Sequence, residues 1–267
     1  MPERMFNTHI QWTIRKKDGR KIKIYGETSM PRGFESAPFP RPTIVMAHGL
    51  SSSHKSLVPY AEVLAQRGYV VYNIDFCGGG QESKSDGSWE DMSIETEKED
   101  LLAAVGLMRE EPFCDPKCLF LFGASQGGVV CSLAADEHPE LFRGMVLLYP
   151  AFVLHENACR AYPEGEPLPE HLEALSRPVG ASYIEAARRY VPEEHMSYPG
   201  RVLILQGDKD AIVPPASSEK AAATFPAATL QTVEGAGHGF SGDAQKKAAE
   251  AAFDFIFHVL HDKEKSA

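Results

Sequence analysis

Residues 118–128 read Cys-Leu-Phe-Leu-Phe-Gly-Ala-Ser-Gln-Gly-Gly, and a helical pattern follows over residues 129–137. The apolar first half of this stretch is typical of a buried strand. In the second half, Gly123 and Gly127 stand two positions before and after Ser125, which gives the motif G-x-S-x-G. Small residues there let a strand and a helix approach closely, so the pattern predicts a strand, a sharp and strained turn at Ser125, and a helix.

Short apolar runs alternate with helical patterns on both sides of this motif. Residues 6–14 and 20–26 are predicted strands joined by the turn Lys17-Asp18-Gly19, a hairpin signal. Six β-rich runs, typical of strands buried on both faces, lie at 43–47, 70–75, 119–123, 145–149, 202–206 and 229–234. The predicted helices lie at about 56–67, 93–110, 126–137, 216–224 and 243–260. The alternation indicates an α/β fold with a mostly parallel, eight-stranded sheet and helices on both of its faces.

Residues 151–198 interrupt this alternation. They contain no run typical of a sheet strand, and they are rich in charge and proline. A connection of this length in a compact α/β domain is usually functional. We therefore expect a single domain over residues 1–267, with 151–198 as a lid or specificity insert that carries a helix at about 181–190.

Ser125 has the context of a nucleophile, and a serine hydroxyl needs a neighbouring base for that role. His238 stands between two glycines after the predicted strand 229–234, where a flexible loop can aim its imidazole at Ser125. An acid is expected after the strand 202–206, where Asp208 and Asp210 are both candidates. We expect Asp210, because Asp208 adjoins the strand-end glycine and suits hydrogen bonds to turn amides. The alternatives are an ordinary turn serine at 125 and a helix-capping histidine at 238.

Negative charge that develops on a substrate oxygen needs fixed hydrogen-bond donors. The backbone N–H of Gln126, directly after Ser125, is the first expected donor. The second is the backbone N–H of Leu50, in the loop that follows the predicted strand 43–47. His48 in the same loop is expected to hold the loop in place through its side chain, and the alternative for this segment is a plain turn.

Composition argues against several classes of function. The chain of 267 residues has a formal net charge of −10 and no block of clustered cations, which disfavours nucleic acids and anionic membranes as partners. The N-terminus has no apolar segment typical of a secretion signal, and no apolar stretch is long enough to span a membrane. We therefore expect a cytoplasmic protein.

Neither a metal nor a nucleotide cofactor is expected. The chain has five cysteines, an odd number, and the pair Cys114 and Cys118 has no second pair at ligand spacing, which favours free thiols. The glycines at 78–80 follow a predicted strand, but no helix opens directly after them. This segment therefore lacks the context of a dinucleotide-binding loop.

Several motifs, spread over almost the whole chain, match one family. They are His48-Gly49, Asp75 with Gly78, Gly80 and Ser83, Trp89-Glu90-Asp91-Met92-Ser93, the Ser125 motif, Gly207-Asp208-Lys209-Asp210 with Val213-Pro214, and Gly237-His238. With them the chain resembles the small bacterial cinnamoyl and feruloyl esterases of the α/β-hydrolase superfamily.

This resemblance implies an α/β-hydrolase fold and a serine esterase that releases hydroxycinnamic acids (ferulate, caffeate, coumarate) from small esters without a cofactor. It also implies that Asn157 and Tyr183 of the insert bind the ring hydroxyl, although family members often carry an acid where this chain has Asn157. The alternative for Tyr183 is that it packs the insert helix against the domain. The expected partner is a small ester, and a homodimer is left open. The alternative functions are a serine peptidase or acylaminoacyl hydrolase, and a non-catalytic binding protein.

Overall fold

The computed structural model describes residues 6–17, 19–34 and 40–262, so Asp18 of the predicted hairpin turn lies outside the described residues. The described strands are β1 (Phe6–Lys17), β2 (Arg20–Pro31), β3 (Arg41–Ala47), β4 (Val70–Ile74), β5 (Cys114–Ala124), β6 (Gly144–Leu148), β7 (Glu173–Ala174), β8 (Arg177–Pro178), β9 (Arg201–Gly207) and β10 (Ala228–Val233). Eight of them form the main sheet, in the order β1-β2-β4-β3-β5-β6-β9-β10. The pairs β1–β2 and β2–β4 are antiparallel and the others are parallel, which confirms the predicted sheet.

Helices cover both faces of this sheet. The described α-helices are α1 (Val58–Gln66), α2 (Ile94–Glu110), α3 (Gln126–Glu137), α4 (Leu154–Ala161), α5 (Ala181–Arg189), α6 (Pro215–Thr224) and α7 (Gly242–His261). Successive residues of a strand point to opposite faces, and so the sheet separates two hydrophobic cores. In β5, Leu119 and Leu121 belong to the core under α2, α3 and α6, whereas Phe120 and Phe122 belong to the core under α1 and α7.

The helix α2 begins with a capping box. The hydroxyl of Ser93 accepts a hydrogen bond from the backbone N–H of Thr96, and the hydroxyl of Thr96 accepts one from the backbone N–H of Ser93. These bonds satisfy two donors that the first turn would otherwise leave unpaired. The register that they set buries Glu97, in the first turn of α2, inside the protein.

The insert (residues 151–198) contains α4, the two-stranded β7–β8 hairpin, α5 and a short 3-10 helix at Pro192–His195. The predicted helix at about 181–190 is α5. The sequence did not predict α4 or the hairpin. Arg188 of α5 ties the insert together, because its Nε donates to the carbonyl of Tyr162 at 2.7 Å and its Nη2 to the carbonyl of Pro163 at 2.9 Å.

Candidate active site

Ser125 lies in the turn between β5 and α3, in a strained backbone conformation. Its φ of 54° and ψ of −119° are unusual for a residue other than glycine. The backbone N–H of Ser125 donates to the carbonyl of Leu148 at 2.9 Å, and its carbonyl accepts from Gly128 at 2.9 Å and Ala151 at 3.0 Å. These hydrogen bonds hold the strained turn in place.

The glycines of the motif are required by close packing around this turn. A Cβ atom at Gly123 would lie 2.4 Å from the carbonyl oxygen of Gly127, and one at Gly127 would lie 2.1 Å from that of Ala47. Both distances are far below van der Waals contact. Any side chain at these positions would therefore force the strand and the helix apart.

His238 and Asp210 complete a hydrogen-bonded chain with Ser125. The Nε2 atom of His238 lies 3.0 Å from Ser125 Oγ, and its Nδ1 atom lies 2.8 Å from Asp210 Oδ2. The other carboxylate oxygen of Asp210 accepts from the backbone N–H groups of Ile212 and Val213, each at 2.9 Å. A carboxylate that only accepts places the ring hydrogen on Nδ1, which leaves the lone pair of Nε2 directed at Ser125. The structure thus brings together the three residues that the sequence singled out.

The structure places Asp208 differently from Asp210. Its Oδ1 accepts a hydrogen bond from the backbone N–H of Gly235 at 2.6 Å, in an exposed turn.

Aromatic rings also flank His238, and no motif in the sequence singled them out. The ring of Tyr149 meets the imidazole edge-to-face at 4.7 Å and also contacts Phe240.

The two amides expected to bind an oxyanion lie beside Ser125. Leu50 and Gln126 line the same cavity as Ser125. Among the described residues, neither backbone N–H donates a hydrogen bond to another protein group. Both donors are therefore free to bind a ligand.

The loop that carries Leu50 is held by His48, which is fully buried. Burial lowers the pKa of His48, so the ring is neutral. Its Nδ1 donates to the carbonyl of Gly49 at 2.8 Å, while its Nε2 accepts from the backbone N–H of Phe76 at 3.0 Å. Both ring nitrogens therefore serve the conformation of this loop.

The cavity next to Ser125 has a volume of about 310 Å³ and lies between the sheet edge and the insert. Its apolar walls include Ala151, Val153, Leu154, Ala158, Ala161, Ala174, Leu175, Ile184, Ile212 and Val213. Its polar groups include Asn157 and Tyr183, and also Tyr162 and Glu173, which the sequence analysis missed. Tyr162 directly follows α4 and Glu173 lies in β7, and the sequence predicted neither of these elements.

The side chains of Asn157 and Tyr183 differ in their hydrogen bonding. The hydroxyl of Tyr183 donates to Gln126 Oε1 at 2.7 Å, so its hydrogen is committed within the protein and its oxygen remains able to accept. The side-chain amide of Asn157 forms no hydrogen bond with another described residue, and it is exposed.

The described residues contain no group of three His, Cys, Asp or Glu side chains arranged to hold a metal ion. In the same part of the chain, no helix is long and apolar enough to cross a membrane. The five cysteines are free thiols, of which Cys77, Cys114 and Cys131 are buried.

A sequence model of the prolyl oligopeptidase family matches residues 56–263, a range that contains Ser125, Asp210 and His238. The chain belongs to this family. Membership in the prolyl oligopeptidase family makes the protein a hydrolase of the α/β-hydrolase type. Curated proteins yield no significant match to the chain.

Solved structures agree with this fold. The ferulic acid complex of Est1E from Butyrivibrio proteoclasticus is 25% identical, with a TM-score of 0.81 over 92% of this chain and 98% of that one. A monoacylglycerol lipase of Paleococcus ferrophilus is 20% identical, with a TM-score of 0.66 over 90% and 99%. DcsB in complex with a substrate analogue is 21% identical, with a TM-score of 0.73 over 94% and 99%. The last two show the fold alone. The predicted membership of the α/β-hydrolase superfamily, with a resemblance to feruloyl esterases, is confirmed.

Proposed function

We propose that the protein is a serine esterase that releases hydroxycinnamic acids, such as ferulate, from small esters. The observation that carries the proposal is the hydrogen-bonded chain Ser125–His238–Asp210, in which Ser125 lines a cavity with apolar walls. Such a cavity, with a few polar groups, suits an aromatic acyl chain of a small molecule. The similarity to Est1E, a protein solved with ferulic acid bound, supports the choice of acyl group.

The proposed reaction follows from this geometry. His238 removes the proton of Ser125 as its oxygen attacks the ester carbonyl, and Asp210 orients the imidazole and stabilises the imidazolium. The amides of Leu50 and Gln126 bind the negative charge that develops on the carbonyl oxygen. The proton passes to the leaving alcohol, and an acyl-enzyme remains on Ser125. Water, activated by His238, then releases the acid.

The insert supplies the proposed contacts to the aromatic ring. The oxygen of Tyr183 can accept a hydrogen bond from a ring hydroxyl, because its own hydrogen is bound to Gln126. Asn157 can donate or accept through its amide. A substrate that lacks the hydroxyl would leave these groups without a partner, so the site should favour hydroxylated rings.

The test is a side-by-side assay of methyl ferulate, methyl cinnamate and nitrophenyl acetate, together with labelling by a fluorophosphonate. We expect labelling at Ser125, turnover of all three esters, and the highest kcat/KM for methyl ferulate. Ser125→Ala should lose labelling and about 10⁴-fold or more of the activity. A wild-type protein that is not labelled would indicate a non-catalytic binding protein. If Ser125→Ala retained more than a tenth of the activity, Ser125 could not be the nucleophile.

The family match favours one rival, a serine peptidase or acylaminoacyl hydrolase. The same chain of residues could cleave an amide, provided that His238 protonates the poorer leaving amine. A nitrophenyl ester and a nitroanilide with the same acyl group separate the two functions. Comparable kcat/KM values on both substrates would favour the peptidase.

A further inference from the structure

The side chain of Gln126 connects three elements around the active site. Its Nε2 donates to Glu97 Oε2 of α2 at 2.7 Å, and its Oε1 accepts from the hydroxyl of Tyr183 of α5 at 2.7 Å. All three side chains are buried. Because the backbone amide of Gln126 is the expected oxyanion donor, this chain links Glu97 to the reacting centre and to the insert.

The carboxyl group of Glu97 has an unusual environment. The residue is fully buried, and its Oε1 atom has no hydrogen-bond partner among the described residues. Burial raises the pKa of Glu97 to about 8, partly offset by the hydrogen bond from Gln126. An oxygen without a partner costs less free energy on a neutral acid than on a buried carboxylate.

The groups that surround Glu97 do not supply a compensating cation. Asp100 on the same helix raises the pKa of Glu97 further, and it is itself paired with Arg15 of β1 at 2.7 Å. Asp100 also accepts a hydrogen bond from the backbone N–H of Cys77. On α5, burial raises the pKa of Tyr183, which keeps its hydroxyl protonated over the same range. Among the described residues, no cation forms an ion pair with Glu97.

We propose that Glu97 is a positioning residue for the reaction of Ser125: in its neutral form it holds the side chain of Gln126, and with it the oxyanion-binding amide of Gln126 and Tyr183 of the insert. The proposal rests on the esterase function proposed above. When Glu97 ionises, a buried negative charge lies behind the site where a second negative charge develops on the substrate.

The size of this effect follows from the two charges. At an effective dielectric constant of about 20, two like charges about 10 Å apart repel enough to slow a reaction about 15-fold. The spacing corresponds to one glutamine side chain with a hydrogen bond at each end. We therefore expect kcat/KM to fall by about this factor as the pH rises above 8.

The test is the pH profile of kcat/KM for methyl ferulate in wild type, Glu97→Gln and Glu95→Gln. Wild type should lose activity above pH 8 and recover it on return to pH 7. Glu97→Gln should lose only the alkaline fall, because an amide accepts the hydrogen bond from Gln126 and does not ionise. The control Glu95→Gln removes an exposed carboxylate from the same helix turn, where it pairs with Lys98, and should follow wild type. An unchanged alkaline fall in Glu97→Gln would overturn the proposal.

A second readout separates positioning from general stability. Glu97→Ala leaves the Gln126 amide without an acceptor, so kcat on nitrophenyl acetate should fall about 2- to 13-fold at unchanged KM. Glu97→Gln should restore much of this loss. If Glu97→Ala fails to fold, the pH profiles decide alone. A wild type that hydrolyses no ester would remove the proposed function as well, whereas an active wild type with coinciding profiles would remove only this inference.

Discussion

Asp208 and Asp210 lie two residues apart after β9 and differ in what they bind. Asp210 is buried against His238 and two backbone amides, whereas Asp208 accepts one hydrogen bond in an exposed turn. We expect Asp210→Asn to reduce kcat by about 10⁴-fold, because the imidazole loses its orienting carboxylate. Asp208→Asn is the matched control and should cost only a little stability, since an amide oxygen can still accept from Gly235. Steady-state kinetics and thermal unfolding of both variants test this. A large loss of kcat in Asp208→Asn and a small one in Asp210→Asn would instead identify Asp208 as the acid.

The burial of Glu97 also predicts how the stability of the fold depends on pH. The pKa of Glu97 rises from its usual 4.5 to about 8 in the folded protein, so between these values the unfolded chain releases a proton that the folded protein keeps. The contribution of Glu97 to the free energy of unfolding is therefore fully present below pH 4.5 and is lost as the pH rises to 8. Glu97→Gln has no such dependence, and its stability relative to wild type should increase from pH 5 to pH 8. Urea unfolding of both proteins at pH 5 and pH 8 measures this difference in the free energy of unfolding. The same difference at the two pH values would contradict the raised pKa of Glu97.

At the level of elements, the helix α5 presents Tyr183 to both Gln126 and the cavity. Tyr183→Phe removes the hydroxyl with little change in shape. If this hydroxyl accepts from the substrate ring, the ratio of kcat/KM for methyl ferulate to that for methyl cinnamate should fall about 2- to 13-fold. Equal losses on the two esters would instead show that the hydroxyl acts only on Gln126.

The attachment of α5 to the end of α4 gives a second prediction for the insert. Arg188 donates to two carbonyls there, whereas Arg189, its neighbour, is exposed and forms no hydrogen bond with a described residue. Arg188→Ala should loosen the insert and lower kcat/KM for methyl ferulate, with little effect on nitrophenyl acetate, whose acyl group is too small to reach the insert. Arg189→Ala should match wild type on both esters. Equal losses on the two esters in Arg188→Ala would argue against a role of the insert in specificity.

At the level of the whole molecule, the sheet assembles the site from distant parts of the chain. Ser125 and His238 are 113 positions apart, yet their side chains are 3.0 Å apart. Parallel strands place their carboxyl ends on one edge, so the loops after β5, β9 and β10 converge there. Because each of these loops directly follows a β-rich run, the convergence was predictable from the sequence.

The hairpin strands were harder to delimit. Residues 6–14 and 20–26 were predicted, while the paired strands extend over Phe6–Lys17 and Arg20–Pro31. Of the additional residues, Lys16 and Lys17 are charged and exposed, as is usual in loops, whereas Thr28, Ser29 and Met30 are buried beyond the predicted segment. They are in strands because the antiparallel register continues past the apolar segment.

The fold and the candidates Ser125, His238 and Asp210 follow from local features of the chain: the period of the apolar residues, the glycines around Ser125, and polar residues directly after strands. The linkage of Glu97, Gln126 and Tyr183 has no such signal. A glutamate in the first turn of a helix normally faces water and interacts favourably with the helix dipole. Nothing in the sequence around Glu97 predicts that it is buried. Its role depends on how α2, α3 and α5 pack on one another, and contacts between residues that are distant in sequence arise only when the chain folds.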